Sequence, residues 1–489
     1  MFEFGSAFVT IHAWEFMLLV VYIVVFVLYY GRKKRLMIGQ NPEYKYYLLG
    51  YFARLFGSLS LIWIFVYYYD NGDTISFFNS AVPVANLAMI DPGKFFEMFF
   101  LSNTLENYRY LYNSETGFPL GYIYADERTY FLVKLVGVLL LVSFKSIILV
   151  SVVVSTITYG GVWNLYRMLV RYYPQIPGRL AIAVLFLPSC VFWGSGLLKD
   201  TFAFSAVCWF IYGLDSIFFV GRNAWRNWVN VVLAAWIMIA MKPYVFMTVF
   251  PATLLWLLYH RVRHFRNALV RMLFLPVAMT VLATGSIFVI QGLGDRLGKF
   301  SLDVALQTIV VSQADLKRSE QYGTNFFDIG EMEATWSSVL GKFPQATFGG
   351  LFRPQLPECN NIVMVLAGLE NTFLFLLVLY ILFRSRVVFF ITLVLRNPLL
   401  QLCFVFAVGY AFMIGVTTPN FGALVRFKIP MLPLFVSGLF ITSHFLDRRR
   451  KALATGQRFD LDAFSGGDPD RSDPRVQERG VRPARNKRR

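Results

Sequence analysis

The chain has 489 residues, of which 57% are hydrophobic and only 15% charged, with a mean hydropathy of +0.54. Soluble domains carry about 25% charged residues, so these values exclude an ordinary soluble protein and predict a polytopic one embedded in a membrane. Lys and Arg number 46 against 29 Asp and Glu, but they fall in short clusters between apolar runs, which is the signature of membrane topology rather than of a nucleic-acid surface.

In chain order, the first apolar run follows Glu3 and Glu15 and is closed by Arg32-Lys33-Lys34-Arg35. No small-residue cleavage site is present, so the run reads as a span with an outside N-terminus and not as a signal peptide. A crossing helix needs about 20 apolar residues. Segments 13–30, 47–69, 146–166, 180–197, 201–220, 228–241, 244–259, 268–290, 362–383, 399–417 and 428–446 satisfy this, some of them only as short spans. Alternating them puts six basic clusters on one side: Arg32 to Arg35, Arg167/Arg171/Arg179, Arg222/Arg226, Arg261/Arg263/Arg266, Arg384/Arg386/Arg396 and Arg448 to Lys451. That side is then cytoplasmic, and the fold class is an all-α polytopic integral membrane protein of about eleven transmembrane helices. Lys242-Pro243 marks the turn of a short hairpin between 228–241 and 244–259, since Pro breaks the helix and Lys reaches the surface. The apolar segment 130–144, with Lys134 inside it, is short for a crossing and reads as interfacial or re-entrant.

Residues 1–446 therefore form a transmembrane domain with two long outer loops, 70–129 and 291–360. The first mixes aromatics with polar residues, as outer-face amphipathic helices lying on a membrane do. The tail, 447–489, carries 13 Lys/Arg against 7 Asp/Glu and almost no apolar residues, so it is expected to be disordered, basic and cytoplasmic. No internal repeat of the kind found in secondary transporters is visible. The four cysteines, Cys190, Cys208, Cys359 and Cys403, have no CxxC spacing and imply neither a disulfide framework nor a metal knuckle.

The residues able to carry chemistry gather at predicted outer ends. Asp70 and Asp73, in Tyr69-Asp70-Asn71-Gly72-Asp73-Thr74, lie where a span leaves the membrane. One can act as general base while the other orients an acceptor or a cation; the same run also reads as a turn in which Asp73 caps a helix beginning at Thr74. Lys199, in Gly194-Ser195-Gly196-Leu197-Leu198-Lys199-Asp200, can bind a phosphate, with Asp200 orienting it or capping the next helix. Lys242, Arg353, Arg426 and Lys428 are outward cations that the charge asymmetry disfavours, and each reads either as an anion ligand or as a snorkelling side chain. Glu370 lies mid-span, where a charge costs at least about 2.5 kcal/mol, so it is either functional or neutral and hydrogen-bonded to a neighbouring helix. His260 and His264 have i,i+4 spacing, but cationic neighbours and the lack of a carboxylate favour a solvated face over a metal pair. There is no Walker A, HExxH or GxSxG motif. No metal site is expected beyond an optional divalent cation at Asp70/Asp73.

Asn71-Gly72-Asp73-Thr74-Ile75-Ser76-Phe77-Phe78 resembles the Gly-Asp-aromatic motif of the GT-C class of membrane glycosyltransferases. Phe352-Arg353-Pro354, Leu369-Glu370-Asn371 and Phe421 to Pro430 resemble signatures of some bacterial relatives in that class. The resemblance covers residues 60–446 loosely and implies a sugar donor on a polyprenyl phosphate, entered from the outer leaflet of a bacterial inner membrane. It implies Asp73, or Asp70, as the base on the acceptor hydroxyl, and Lys199, Arg353 and Arg426 on the lipid phosphate, in an inverting displacement. Asp126-Glu127 is a competing acidic pair in the same loop. A polymerase or ligase of lipid-linked polysaccharide, a flippase and a non-catalytic assembly factor are the alternatives. The enzyme predicts that Asp73, Lys199, Arg353 and Arg426 converge on one outward cavity.

Overall fold

The computed structural model describes residues 3–6, 9–221, 224–262, 277, 302–316 and 325–455. It opens with a feature outside the all-α expectation, an antiparallel hairpin of β1 (Glu3–Ser6) and β2 (Val9–His12) in the register Glu3↔His12. The hairpin feeds α1 (Ala13–Met37), whose start is pinned by Glu15. One oxygen of this buried carboxylate accepts the His12 backbone N–H at 2.8 Å and the other accepts the Ser146 hydroxyl. The rest of α1 is largely uncovered, as a lipid-facing helix should be.

The chain turns back as α2 (Tyr47–Tyr67), then runs through α3 (Asp73–Ile90), α4 (Pro92–Glu97), α5 (Leu105–Leu111), α6 (Gly121–Ala125) and α7 (Glu127–Val142). The first long loop is thus mostly helical, and its first helix packs against another. α3 buries Ile75, Phe77, Phe78, Ala81 and Val84 and packs along α7, while Phe96, Phe100 and Tyr122 are left exposed. At 16 residues α7 is about 24 Å long, less than a 30 Å hydrocarbon core. Its buried Lys134 is satisfied by the Met98 carbonyl at 2.6 Å.

The central layer is α8 (Ile147–Tyr172), packed on α2, and α11 (Lys199–Asp215), packed on α8. Between them lie α9 (Pro177–Leu185) and α10 (Pro188–Phe192). The expected span 180–197 is therefore two short helices rather than one, because Pro188 cannot continue α9 and opens α10 at its first position. α11 runs on through a π-turn to Val220, and α12 (Ala224–Met241) packs back on it. Next come α13 (Pro243–Val262), α14 (Leu302–Leu316), α15 (Trp336–Gly341) and α16 (Phe343–Phe352). The bundle closes with α17 (Ile362–Ser385), α18 (Val387–Arg396), α19 (Pro398–Thr417), α20 (Phe421–Phe427) and α21 (Leu432–Ala454). The turn at Lys242-Pro243 stands where the proline predicts it, but Lys242 is buried rather than at the surface.

Among the described residues seven helices are long and apolar enough to cross a membrane, and the bent pair α20–α21, at 66°, makes an eighth if it counts as one span. The protein is a helical, polytopic membrane protein. The apolar part of α13 is shorter than these, and the expected span 268–290, residue 277 apart, lies outside the described residues. The first part of the tail, to Ala454, is the end of α21; residues 456–489 are outside the described set.

Two glycines set how closely the last helices approach. A Cβ on Gly350 would stand 2.1 Å from the Ala411 carbonyl oxygen, and one on Gly415 would stand 1.9 Å from that of Ala346. The backbones of α16 and α19 therefore touch, as small residues permit between helices in lipid. This contact carries the segment after α16 to the base of α20. Gly350→Leu and Gly415→Leu should each lower the thermal midpoint in detergent, by the equivalent of about 1–3 kcal/mol of overpacking. Gly409→Ala, in the same helix with nothing within 4 Å of its Cβ, should leave the midpoint unchanged or slightly raised.

Candidate active site

α2 ends in the tyrosine run 67–69, and the chain reverses through Asp70 at φ +53° and Gly72 at φ +126°. Only glycine suits the second position: its φ is left-handed, and a Cβ would meet the Phe65 ring at 2.5 Å. This turn places Asp73 at the first position of α3, where the helix dipole favours a carboxylate. Gly72, not Asp73, is the N-cap residue. The next residue, Thr74, donates its hydroxyl to the Leu197 carbonyl at 3.3 Å and ties the start of α3 to the glycine-rich segment leading into α11.

Opposite Asp73 stands the end of α20. Arg426 Nη1 donates to Asp73 Oδ2 at 2.6 Å, joining residues 353 positions apart. The guanidinium is largely covered, whereas half of the Asp73 side chain is open to solvent. It lies 6.0 Å from the Trp193 ring centroid and 5.8 Å from that of Phe427, a geometry in which aromatic faces favour a cation. At the start of α11, Lys199 Nζ donates to Thr129 Oγ1 at 2.7 Å and lies 3.8 Å from Asp126 Oδ2. Beside it the buried Asp200 carboxylate accepts from Lys242 Nζ, and that ammonium sits 3.8 Å from the Phe427 ring centroid. Six charges from five chain segments are thus gathered: Asp73, Asp126 and Asp200 against Lys199, Lys242 and Arg426.

Their balance shapes Asp73. Removal from bulk water pushes its pKa up, but the Arg426 guanidinium outweighs this through charge and hydrogen bond, helped by Lys199 and Lys242. The carboxyl ends up below its ordinary value.

The other candidates pair with other groups. Arg353 Nε pairs with Glu358 at 3.2 Å, and its guanidinium lies 5.6 Å from the Phe327 ring centroid. Lys428 is buried, and its ammonium donates to the Arg353 carbonyl at 2.7 Å, Asn371 Oδ1 at 3.1 Å and the Leu351 carbonyl at 3.3 Å. An ammonium has three N–H groups, so Lys428 is fully used in clamping α16 and α17 to the base of α20. Asn371 completes the clamp by donating to the Pro354 carbonyl at 2.9 Å. Glu370 is buried and accepts the Ser189 backbone N–H of α10 at 2.8 Å, while its second oxygen has no partner among the described residues. Asp70 is exposed and makes no hydrogen bond or ion pair with another described residue. His264 and the side chain of His260 lie outside the described residues.

One participant was not singled out in the sequence as a member of this site. Thr129 carries no chemical signal of its own and enters only because α7 lies beside α11. Away from this site, Arg54 is buried inside α2 and donates to Thr158 Oγ1 at 2.8 Å. An arginine inside an apolar span was the available signal for it. Among the described residues no three His, Cys, Asp or Glu side chains are grouped closely enough to hold a metal ion. No family model, curated protein sequence or solved structure shows a significant match to this chain.

The depressed Asp73 pKa sets the acid behaviour of the pair. Its stabilisation is fully present above the ordinary aspartate pKa of 3.8 and is lost as pH falls through the lower folded-state value. The difference in thermal midpoint between wild type and Asp73→Asn should therefore stay constant from pH 8 to pH 5 and shrink only below about 4. A difference that already disappears at pH 6 would show that the pair does not form.

Proposed function

We propose that this protein is a GT-C-like membrane glycosyltransferase, moving a sugar from a polyprenyl-phosphate donor to an acceptor at the outer, periplasmic face of a cell inner membrane. The observation that carries the reading is the direct pairing of Asp73 with Arg426 beside Lys199: a carboxylate able to take a proton stands against cations able to hold a phosphate. About eleven crossings, an outside N-terminus and a cytoplasmic C-terminus belong to the same proposal, since they bring this end of the bundle outside. The acceptor class is a glycan, lipid or protein hydroxyl.

The chemistry follows from the charges. With three carboxylates against three cations, the cluster has no unmatched cation waiting for an anion. A lipid phosphate entering it competes with Asp73 for Arg426, and the planar guanidinium suits two phosphate oxygens at once. Asp73, relieved of its partner, regains basicity and accepts the proton of the attacking hydroxyl. That oxygen bonds to the anomeric carbon from the face opposite the phosphate, the bond from that carbon to the phosphate oxygen breaks, and the configuration inverts. Arg426 and Lys199 stabilise the charge that accumulates on the departing polyprenyl phosphate. Asp70, on the open side of the turn, takes no part, and Arg353 and Lys428 shape the wall of the site without holding the phosphate.

Transfer of radiolabelled sugar from polyprenyl-phosphate donors in membranes tests this. Asp73→Asn should lower turnover about 10²–10⁴-fold, the usual weight of a general base. Arg426→Ala should cost about 10²–10³-fold, as lost electrostatic stabilisation does. Asp70→Asn should leave activity within a small factor of wild type. Full activity in Asp73→Asn, or stable wild-type protein with no transfer from any donor, would exclude the reading and favour a polymerase, ligase or flippase of lipid-linked polysaccharide.

A further inference from the structure

We infer that the opposite end of the bundle carries a second binding site, specific for a phosphate-bearing anion. A cavity of about 520 Å³ opens where the N-terminus of α9 meets the last turns of α21, bordered by Gly178, Arg179, His444, Asp447, Arg448 and Lys451. Its volume falls within the roughly 300–1,000 Å³ of small-molecule sites. From Leu432, just past the Lys428 clamp, to Asp447 is about 22 Å along the helix at 1.5 Å per residue. The cavity is therefore remote from the Asp73–Arg426 pair and independent of the function proposed for it.

Its electrostatics differ in kind from those of the first site. Three cationic side chains border the cavity against one carboxylate, and that carboxylate is already engaged. Asp447 Oδ1 accepts from Arg384 at 2.8 Å, and Oδ2 accepts from both terminal nitrogens of Arg179 at 3.3 Å. Among the described residues Arg179, Arg384 and Lys451 surround this single acid, so the cavity keeps a net positive field for an incoming anion. The field is also organised. Asp447 holds Arg179 of α9 against α21, bringing together cations separated by more than 260 positions in the chain. Pro177, which has no N–H, occupies the first position of α9, and Gly178 and Arg179 follow on the cavity wall with the helix-start N–H groups. Such groups have no intrahelical acceptor and carry the positive end of the helix dipole.

An ordinary topological charge cluster needs to be neither concave nor cross-braced, and this one is both. A phosphate group, with several oxygens and one to two negative charges, matches the spread of donors better than a single carboxylate does. The charge asymmetry of the loops puts this end in the cytoplasm. The phosphate is then supplied either by an inner-leaflet lipid headgroup or by a soluble phosphate ester.

The test uses the full chain in nanodiscs. Phosphatidylcholine discs are titrated with inorganic pyrophosphate, and discs with added phosphatidic acid are assayed by native mass spectrometry for retained lipid. The comparison is Arg448→Gln/Lys451→Gln, which leaves the Arg179–Asp447–Arg384 brace intact, with Lys451→Gln alone as the milder variant. Removing two cations should weaken binding about thirtyfold, and removing one about fivefold. Pyrophosphate binding in phosphatidylcholine discs that weakens in the variants identifies a soluble ligand. Retention of phosphatidic acid that weakens in the variants, without pyrophosphate binding, identifies a headgroup. Binding of neither probe by the wild type, or equal binding by wild type and folded variants, overturns the inference. Sugar transfer plays no part in the readout, so loss of one proposal leaves the other standing.

Discussion

The geometry of the candidate site depends on the ion pair between Asp200 and Lys242. Both side chains are buried, so neither keeps the water that would otherwise support its charge. Losing one partner would strand the other, at a cost of about 3–5 kcal/mol. The pair therefore holds the first turn of α11 against the turn between α12 and α13. Because the Lys242 ammonium also lies over the Phe427 ring, it sets where α20 ends. Arg426, one residue earlier, is thereby directed toward Asp73. With its carboxylate half open to solvent, the Asp73–Arg426 pair contributes only modestly to stability by itself. Its alignment comes from the buried pair behind it and from the Lys428 clamp two residues on.

That dependence explains which parts of the site were legible in the sequence. Lys242, Arg426 and Lys428 stood out because they oppose the charge asymmetry of the loops, and Asp73 because it follows a span directly. Each signal is local to one segment. What the sequence leaves open is the partner. Arg426 and Lys428 carry the same charge in the same short run, yet one meets a carboxylate and the other two carbonyls and an amide. The difference arises from the α16–α19 contact at Gly350 and Gly415, which carries the Leu351 and Arg353 carbonyls to Lys428. Arg353, expected at the phosphate by analogy, pairs in the structure with Glu358, five residues on, across a short 3-10 turn.

The membrane topology shows the same limit. Hydropathy finds helices that are apolar along their whole length, such as those of segments 13–30 and 399–417. It reads 180–197 as one span because apolar residues on both sides of Pro188 sum alike. The break there is useful: it exposes a helix start whose Ser189 N–H is taken by Glu370 from α17. Glu370, conspicuous as a charge in a span, thus meets a backbone donor that only the break makes available.

The two ends of the bundle solve the same electrostatic problem with opposite outcomes. At the Asp73 end, acids and bases are interleaved, so in the proposed function an anion enters by displacing a carboxylate from its cation. Binding there is an exchange, and it necessarily changes the protonation properties of the group displaced. At the Asp447 end, two arginines share one acid, and Lys451 adds charge that this acid does not offset. An anion enters that cavity without displacing a carboxylate, so binding alters no base. An exchange site suits chemistry, because occupancy itself switches on a proton acceptor, whereas a site with surplus charge suits retention. Reading charge balance and burial together, rather than the count of basic residues, is what separates the two ends of this chain.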